Sequence, residues 1–181
     1  YATERIAKEG LSHLVDVRLQ DYRTIDGEYD KIVSIEMLEA VGDEFLETYF
    51  KKVQNILKKD GIAAFQVITS PDSRYEQFRT GVDFIQKHIF PGSLLPSIAA
   101  MNTAVNATGD MHLHHLEEFG LSYARTLAQW KESFNAKLDQ VRTLGFDDAF
   151  IRKWNYYLSY CEAGFATGAI DVGLYRFRKP A

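Results

Sequence analysis

Two short apolar runs, Lys31-Ile-Val-Ser-Ile35 and Ile62-Ala-Ala-Phe-Gln-Val-Ile68, flank an amphipathic stretch that runs from Asp43 to about Leu57. This order constrains the fold more than any other feature of the chain. Runs this short and apolar read as strands buried on both faces, and Asp43 is a good cap for a helix between them. Lys58-Lys59-Asp60-Gly61 supplies a basic helix end and a turn. Strand, helix and strand in that order predict an α/β sheet with parallel neighbours, and such sheets bind ligands at the carboxyl ends of their strands. Functional residues are therefore expected just after strands, at Asp21, Tyr22, Glu36, Glu39, Gln66 and Thr69.

Further elements follow from periodicity and capping. Val15 to Gln20 alternates apolar and polar residues and predicts a half-buried strand. Arg74 to Ile89 reads as a helix ended by Phe90-Pro91-Gly92, and Ser97 caps another through about Asn106. A strand near Met111 to Glu118, helices over Leu121 to Leu144 and Asp147 to Phe165, and a strand from Ala169 to Phe177 complete the chain. With 181 residues, 46% of them hydrophobic, and no low-complexity linker, residues 1–181 read as one partial domain.

Charge and cysteine count exclude several function classes. A net charge of −4, with Lys58-Lys59 as the longest basic run, argues against nucleic-acid binding. The single Cys161 rules out an internal disulfide and any multi-cysteine zinc site, and suits a reducing cytoplasm. No stretch reaches the roughly 18 to 20 apolar residues that a membrane span needs, so membrane contact is expected to be peripheral. His112, His114 and His115 lack neighbours at metal-ligand spacing and read as a polar strand face. The first residues begin inside a helical pattern without an initiator methionine. The chain is thus expected to be a piece of a longer protein.

Four segments then point to a family: Tyr29-Asp-Lys-Ile-Val-Ser-Ile-Glu-Met-Leu-Glu-Ala-Val-Gly42, Asp83 to Gly92 with Leu95-Pro-Ser97, Tyr123 to Trp130, and Trp154 to Phe165. In this order they resemble the cyclopropane-fatty-acyl-phospholipid synthases and the mycolic acid cyclopropane synthases, over nearly the whole chain. The resemblance implies a Rossmann-like class I methyltransferase sheet of seven strands in the order 3-2-1-4-5-7-6. The first two strands and the glycine-rich cofactor loop between the first strand and first helix have no counterpart here, and Val15 to Gln20 takes the place of the third strand. Removing central strands exposes the edge of the strand at Ile32 to Ile35. Either Val15 to Gln20 re-pairs against that edge, or a second copy covers it in a domain-swapped homodimer.

The resemblance also implies a reaction: S-adenosylmethionine donates its methyl carbon to a cis double bond of a phospholipid acyl chain. A bound bicarbonate then takes the proton lost as the three-membered ring closes. It places the carboxylate that orients bicarbonate at Glu39, its hydroxyl partner at Tyr157, and pocket walls at Ile35 and Ile68. Asp21, Tyr22 and Arg23 fall where the fold surrounds adenine, against the alternative of a plain polar loop. Gln66 departs from a histidine common among the synthases; its amide still donates to an anion but does not titrate. Glu36 stands where small residues are usual, facing either the cofactor or solvent. Cys161 matches a cysteine considered for the active site, although methyl transfer to an alkene needs no thiolate and packing is the simpler role. The apolar run Phe84, Ile85, Ile89, Phe90, Leu94 and Leu95 reads as an acyl tunnel, a lid or plain core.

The expected activity is cyclopropanation of phospholipid acyl chains by a longer parent protein, in the cytoplasm at the inner membrane surface, the isolated piece being inactive. Two other readings stand beside it: a methyltransferase acting on another lipid or small molecule, and a truncated non-catalytic interaction module.

Overall fold

The computed structural model describes residues 1–181. Strand β1 (Tyr29–Ile35) lies parallel to β2 (Leu57–Thr69), and α2 (Leu46–Ile56) connects them. Helix α2 forms there because Leu46, Tyr49, Phe50 and Val53 recur at helical spacing and are all buried. Short helices α3 (Tyr75–Thr80) and α4 (Phe84–His88) precede α5 (Ile98–Thr108), which Ser97 caps by accepting from the Ala100 backbone N–H at 3.2 Å. Strand β3 (His112–Glu118), helices α6 (Gly120–Asn135), α7 (Leu138–Thr143) and α8 (Asp148–Ala166), and strand β4 (Asp171–Arg178) follow; α1 (Ala2–Lys8) stands at the start.

The sheet order is β1-β2-β4-β3. Only β1 and β2 run parallel, since β4 is antiparallel to both β2 and β3. The register divides β2 between two layers. Ala63, Phe65 and Val67 point into a core shared with α2, α5, Tyr175 and Phe177, in which Phe50, Phe65 and Phe177 have ring centroids 5.6 to 6.0 Å apart. Gln66 and Ile68 lie on the opposite face. There Ile68 joins a smaller apolar layer made by α6 and α8, with Leu127, Leu158, Phe165 and Val172 at its centre.

Three expectations are corrected. Val15 to Gln20 pairs with nothing and leaves Val15, Val17 and Leu19 at 42, 47 and 108% exposure. Alternation makes a strand only where a neighbour supplies the ladder, and the segment does not fold back onto the free edge of β1. The helix expected over Arg74 to Ile89 breaks at Gly81–Asp83 because Asp83 starts α4 with a reciprocal capping box to Gln86. The helix expected over Leu121 to Leu144 splits after Asn135, whose side-chain amide turns back to the Lys131 carbonyl at 2.7 Å and across to Asn155 at 2.6 Å.

Candidate active site

The carboxyl ends of β1 and β2 carry the polar cluster. Chain leaving β1 enters the left-handed region at Glu36, with φ of 51°, a conformation that costs a non-glycine residue about 1–2 kcal/mol. Its backbone N–H donates to the Gln66 carbonyl at 2.8 Å, which keeps the turn pressed against β2. The same residue's Oε1 accepts from Gln66 Nε2 at 2.7 Å and from the Tyr123 hydroxyl at 2.8 Å. Half-buried Glu36 is thus held by two donors, one from the adjacent strand and one from α6. Gln66 spends an amide hydrogen on that carboxylate, so one of its two donors is already engaged.

One turn further on, Glu39 is buried at 9% exposure. Its Oε1 accepts from the Ile68 backbone N–H at 2.6 Å, and its own carbonyl accepts from the Leu94 N–H at 2.8 Å, so Glu39 ties the ends of both strands to the Leu94–Leu95 segment. Glu39 Oε2 is buried and has no protein partner. Burial pushes the Glu39 carboxyl above the ordinary carboxylate value, and the nearby charge of Glu36 adds to the rise. Two carboxylates, one dry and one doubly hydrogen-bonded, share one end of the sheet. Such an arrangement is suited to holding and moving a proton.

Tyr157 reaches the cluster from α8. It packs between Trp154 and Phe90, at ring-centroid distances of 5.1 and 6.2 Å, and its hydroxyl bonds no protein group, Glu39 included. Burial raises that hydroxyl to about 12. Ile35 sits beside Gln66 in the β1–β2 register and is 56% exposed, whereas Ile68 packs beneath α6 and α8. Asp21 does not stand free for a ligand: its carboxylate accepts from the Arg23 backbone and guanidinium, which hold it well below the usual carboxylate range, at about 2. Tyr22 packs on Tyr49 at 5.1 Å and, with Arg23, lines a cleft of about 210 Å³ whose other walls are Met37, Ala40, Val41 and Phe45.

Against this geometry the sequence profile of the family described as mycolic acid cyclopropane synthetase matches residues 1–175. The chain belongs to that family. It is 40% identical over 171 residues to the tuberculostearic acid methyltransferase of Mycobacterium tuberculosis, covering 94% of this chain and 40% of the relative. To the cyclopropane-fatty-acyl-phospholipid synthase of Escherichia coli strain K12 it is 34% identical over 165 residues, 91% of this chain and 41% of the synthase. The crystal structure of a mycolic acid cyclopropane synthase complexed with SAH and CTAB superposes with a TM-score of 0.80 at 26% identity, over 95% of this chain and 65% of that one. The chain therefore spans about two fifths of the length of these two curated relatives.

Within this cyclopropane synthetase fold, Tyr123 is the residue that sequence reasoning missed. Its place inside one of the four family segments was a signal, but its contact with Glu36 spans 87 residues. Met37, Ala40, Val41 and Phe45 were missed as well, although all lie in the connection between β1 and α2. Cys161 packs with Tyr157 in the α6–α8 layer, and burial pushes its thiol up to about 12. Thiolate chemistry at neutral pH is accordingly disfavoured. Iodoacetamide at pH 7.5 is expected to label Cys161 of the native protein far more slowly than the urea-unfolded chain, as read by intact mass. Equal rates would show the thiol to be activated.

Proposed function

We propose that the protein containing this chain transfers the methyl carbon of S-adenosylmethionine to an unsaturated acyl chain of a phospholipid, and that the reaction closes a cyclopropane ring. The observation that carries this reading is the buried Glu39, fixed by the Ile68 backbone N–H and left with its second oxygen unpartnered, in a member of this family. When bound, S-adenosylmethionine supplies an electrophilic methyl group. The apolar cleft at Tyr22, Met37, Ala40, Val41 and Phe45 suits the flat adenine ring. Arg23 is its polar wall, and Asp21 acts there through its grip on Arg23.

A proton must leave the substrate for the ring to close. Bicarbonate is the acceptor that the resemblance implies, and Glu39 Oε2 is the group that would take its hydroxyl, with Tyr157 donating to its charged end. Glu36 in the same cluster works against a second anion. Ile35, Ile68 and Phe90 would wall the acyl chain. The reading puts the protein in the cytoplasm in peripheral contact with the inner membrane surface, where phospholipid acyl chains are reached. Val82, Phe90, Tyr156 and Tyr160, at 75, 53, 53 and 40% exposure, support that contact, and the rings of Tyr156 and Tyr160 pack on Phe84. No helix is long and apolar enough to cross a membrane.

Mass spectrometry and proton NMR of lipids from cells expressing the whole protein test the reading. Acyl chains that gain one CH2 per double bond and show cyclopropane ring protons support it, and unchanged lipids overturn it. A methyl-adding reaction on an acyl chain is the second reading, favoured by the 40% identity to a methyltransferase and by Gln66. It would add the same mass without the ring protons.

For the isolated chain, we expect assembly. The outer edge of β1 carries unpaired backbone groups, with Val33 and Ile35 at 68 and 56% exposure on its open face. A dimer in sedimentation velocity is the expected result, and a clean monomer would eliminate pairing through that edge. The isolated chain is expected to give no measurable heat with S-adenosylmethionine in calorimetry, because the glycine-rich loop is not among its residues.

A further inference from the structure

The outer surface of α4 and α8 carries cations although the chain as a whole is acidic. No acid occurs between Asp83 and Asp110 or between Asp148 and Glu162, in a protein of net charge −4. Lys87 of α4 and Arg152 and Lys153 of α8 lie in these acid-free stretches, and all three are exposed. Arg74 is exposed too, in the wall of a cleft of about 270 Å³ that it shares with Phe78, Val82, Asp83 and Tyr160. None of the four cations pairs with a carboxylate.

The two helices meet at Phe84, whose ring packs on Tyr156 at 4.5 Å and on Tyr160 at 6.3 Å. Arg152 and Lys153 stand four and three residues before Tyr156, and Lys87 stands three after Phe84. Those spacings put each cation about one helical turn from the same aromatic contact. The acids at the margins are already engaged. Asp83 accepts from the Gln86 backbone N–H at 2.8 Å and from the Tyr160 hydroxyl at 3.2 Å, and Asp148 is held by Arg142 at 3.1 Å. Positive charge on this face is therefore left for something outside the chain.

Exposed Val82, Phe90, Tyr156 and Tyr160 share the face. Rings with a polar tip settle where water meets hydrocarbon, and basic side chains are drawn to the negative surface of the cytoplasmic leaflet. Phe90 links the face to the proposed site, because its ring also meets Tyr157 at 6.2 Å. A membrane lying on α4 and α8 would thus adjoin the walls proposed for the acyl chain, a continuity for which a soluble acidic partner has no use.

We propose that the α4–α8 face docks the protein on a phospholipid surface that is anionic, with Lys87, Arg152 and Lys153 against lipid phosphates, Tyr156 and Tyr160 at the headgroup level, and Arg74 as a fourth cation. The proposal rests on the reading of the protein as an enzyme of phospholipid acyl chains, and adds to it the charge of the membrane and the face turned towards it. Attraction of this kind is screened by salt over about 10 Å at 0.1 M, so docking weakens as ionic strength rises.

The test is co-sedimentation of the whole protein with vesicles of phosphatidylcholine alone and with vesicles in which a third of the lipid is phosphatidylglycerol. Expected is tighter binding to the mixed vesicles, lost in high salt. Neutralising two cations together, Arg152→Gln with Lys153→Gln, should weaken that binding about 10- to 30-fold. Lys51→Gln with Lys59→Gln, on exposed and unpaired lysines of α2 and of the start of β2, should leave it unchanged. Unchanged melting temperatures would show that both double variants are folded. Equal binding to the two kinds of vesicle would overturn the proposal, and so would an Arg152/Lys153 variant that binds as the wild type does. Wild-type protein that ignores the mixed vesicles would also overturn it and leave the face to an acidic protein partner. Binding is scored without turnover: selective docking with no alkylated lipid would fail the underlying reading alone, whereas alkylation with no anionic preference would fail this proposal alone.

Discussion

In the whole protein, Glu39→Gln is expected to lower turnover about 10²- to 10⁴-fold and, at neutral pH, to raise the melting temperature. Both effects have one cause. The Glu39 carboxyl is buried, has one oxygen without a partner, and sits near Glu36, so its folded-state pKa lies above the unfolded value. Below the ordinary carboxylate range both states are protonated and the residue costs nothing. As pH rises through that range the unfolded chain ionises first and the folded chain retains its proton. Stability is therefore lost across the window up to the raised folded value. Glutamine has no such window, and its carbonyl still accepts from Ile68. Melting curves from pH 4 to pH 8 check the point: the two proteins should converge in acid and diverge above it, and a variant less stable throughout would show that the charge is well accommodated.

Phe65→Ala is expected to destabilise the fold by about 3–5 kcal/mol, a large share of the roughly 5–15 kcal/mol available to a domain. Phe65 is wholly buried at the middle of β2, and its ring meets Tyr49, Phe50 and Phe177 at 6.1, 5.6 and 5.7 Å. Truncation leaves a void bounded by three rigid rings, which cannot collapse into it as flexible side chains would. Urea denaturation measures the loss. Val33→Thr on the open face of β1 serves as the control and should change stability by no more than about 0.5 kcal/mol in either direction. A Phe65→Ala cost near that of the control would mean that the aromatic cluster repacks.

The sequence was most legible where a local pattern agreed with a tertiary need. Ile32 to Ile35, Ile62 to Ile68, and the helix carrying Leu46, Tyr49, Phe50 and Val53 form as their periods predict, and Ser97 and Asp147 cap the helices that follow them. Val15 to Gln20 has an equally good alternation but no neighbour, and a strand is a property of two segments. The break before Asp83 was written in the Asp83-to-Gln86 spacing, which a count of apolar residues passes over. Glu39 was one of six polar residues after strands and gained its catalytic role only through family resemblance, as did Tyr157, because an acid near a helix start and a tyrosine in an aromatic helix are ordinary. Tyr123 and the clamp on Glu36 needed coordinates, since nothing local links α6 to the turn after β1.

The order of the sheet has a consequence for how the chain comes off the ribosome. Strand β3 hydrogen-bonds only to β4, and β4 is also the antiparallel neighbour of β2, so the last of the four strands in chain order is an interior one. Until Asp171 to Arg178 has emerged, β3 has no partner and the outer flank of β2 is bare. The β1–α2–β2 unit must keep the β4-facing flank of β2 open through the synthesis of more than a hundred residues, an interval in which chaperone capture competes with misassembly. Completion is then sudden, as one segment closes both gaps.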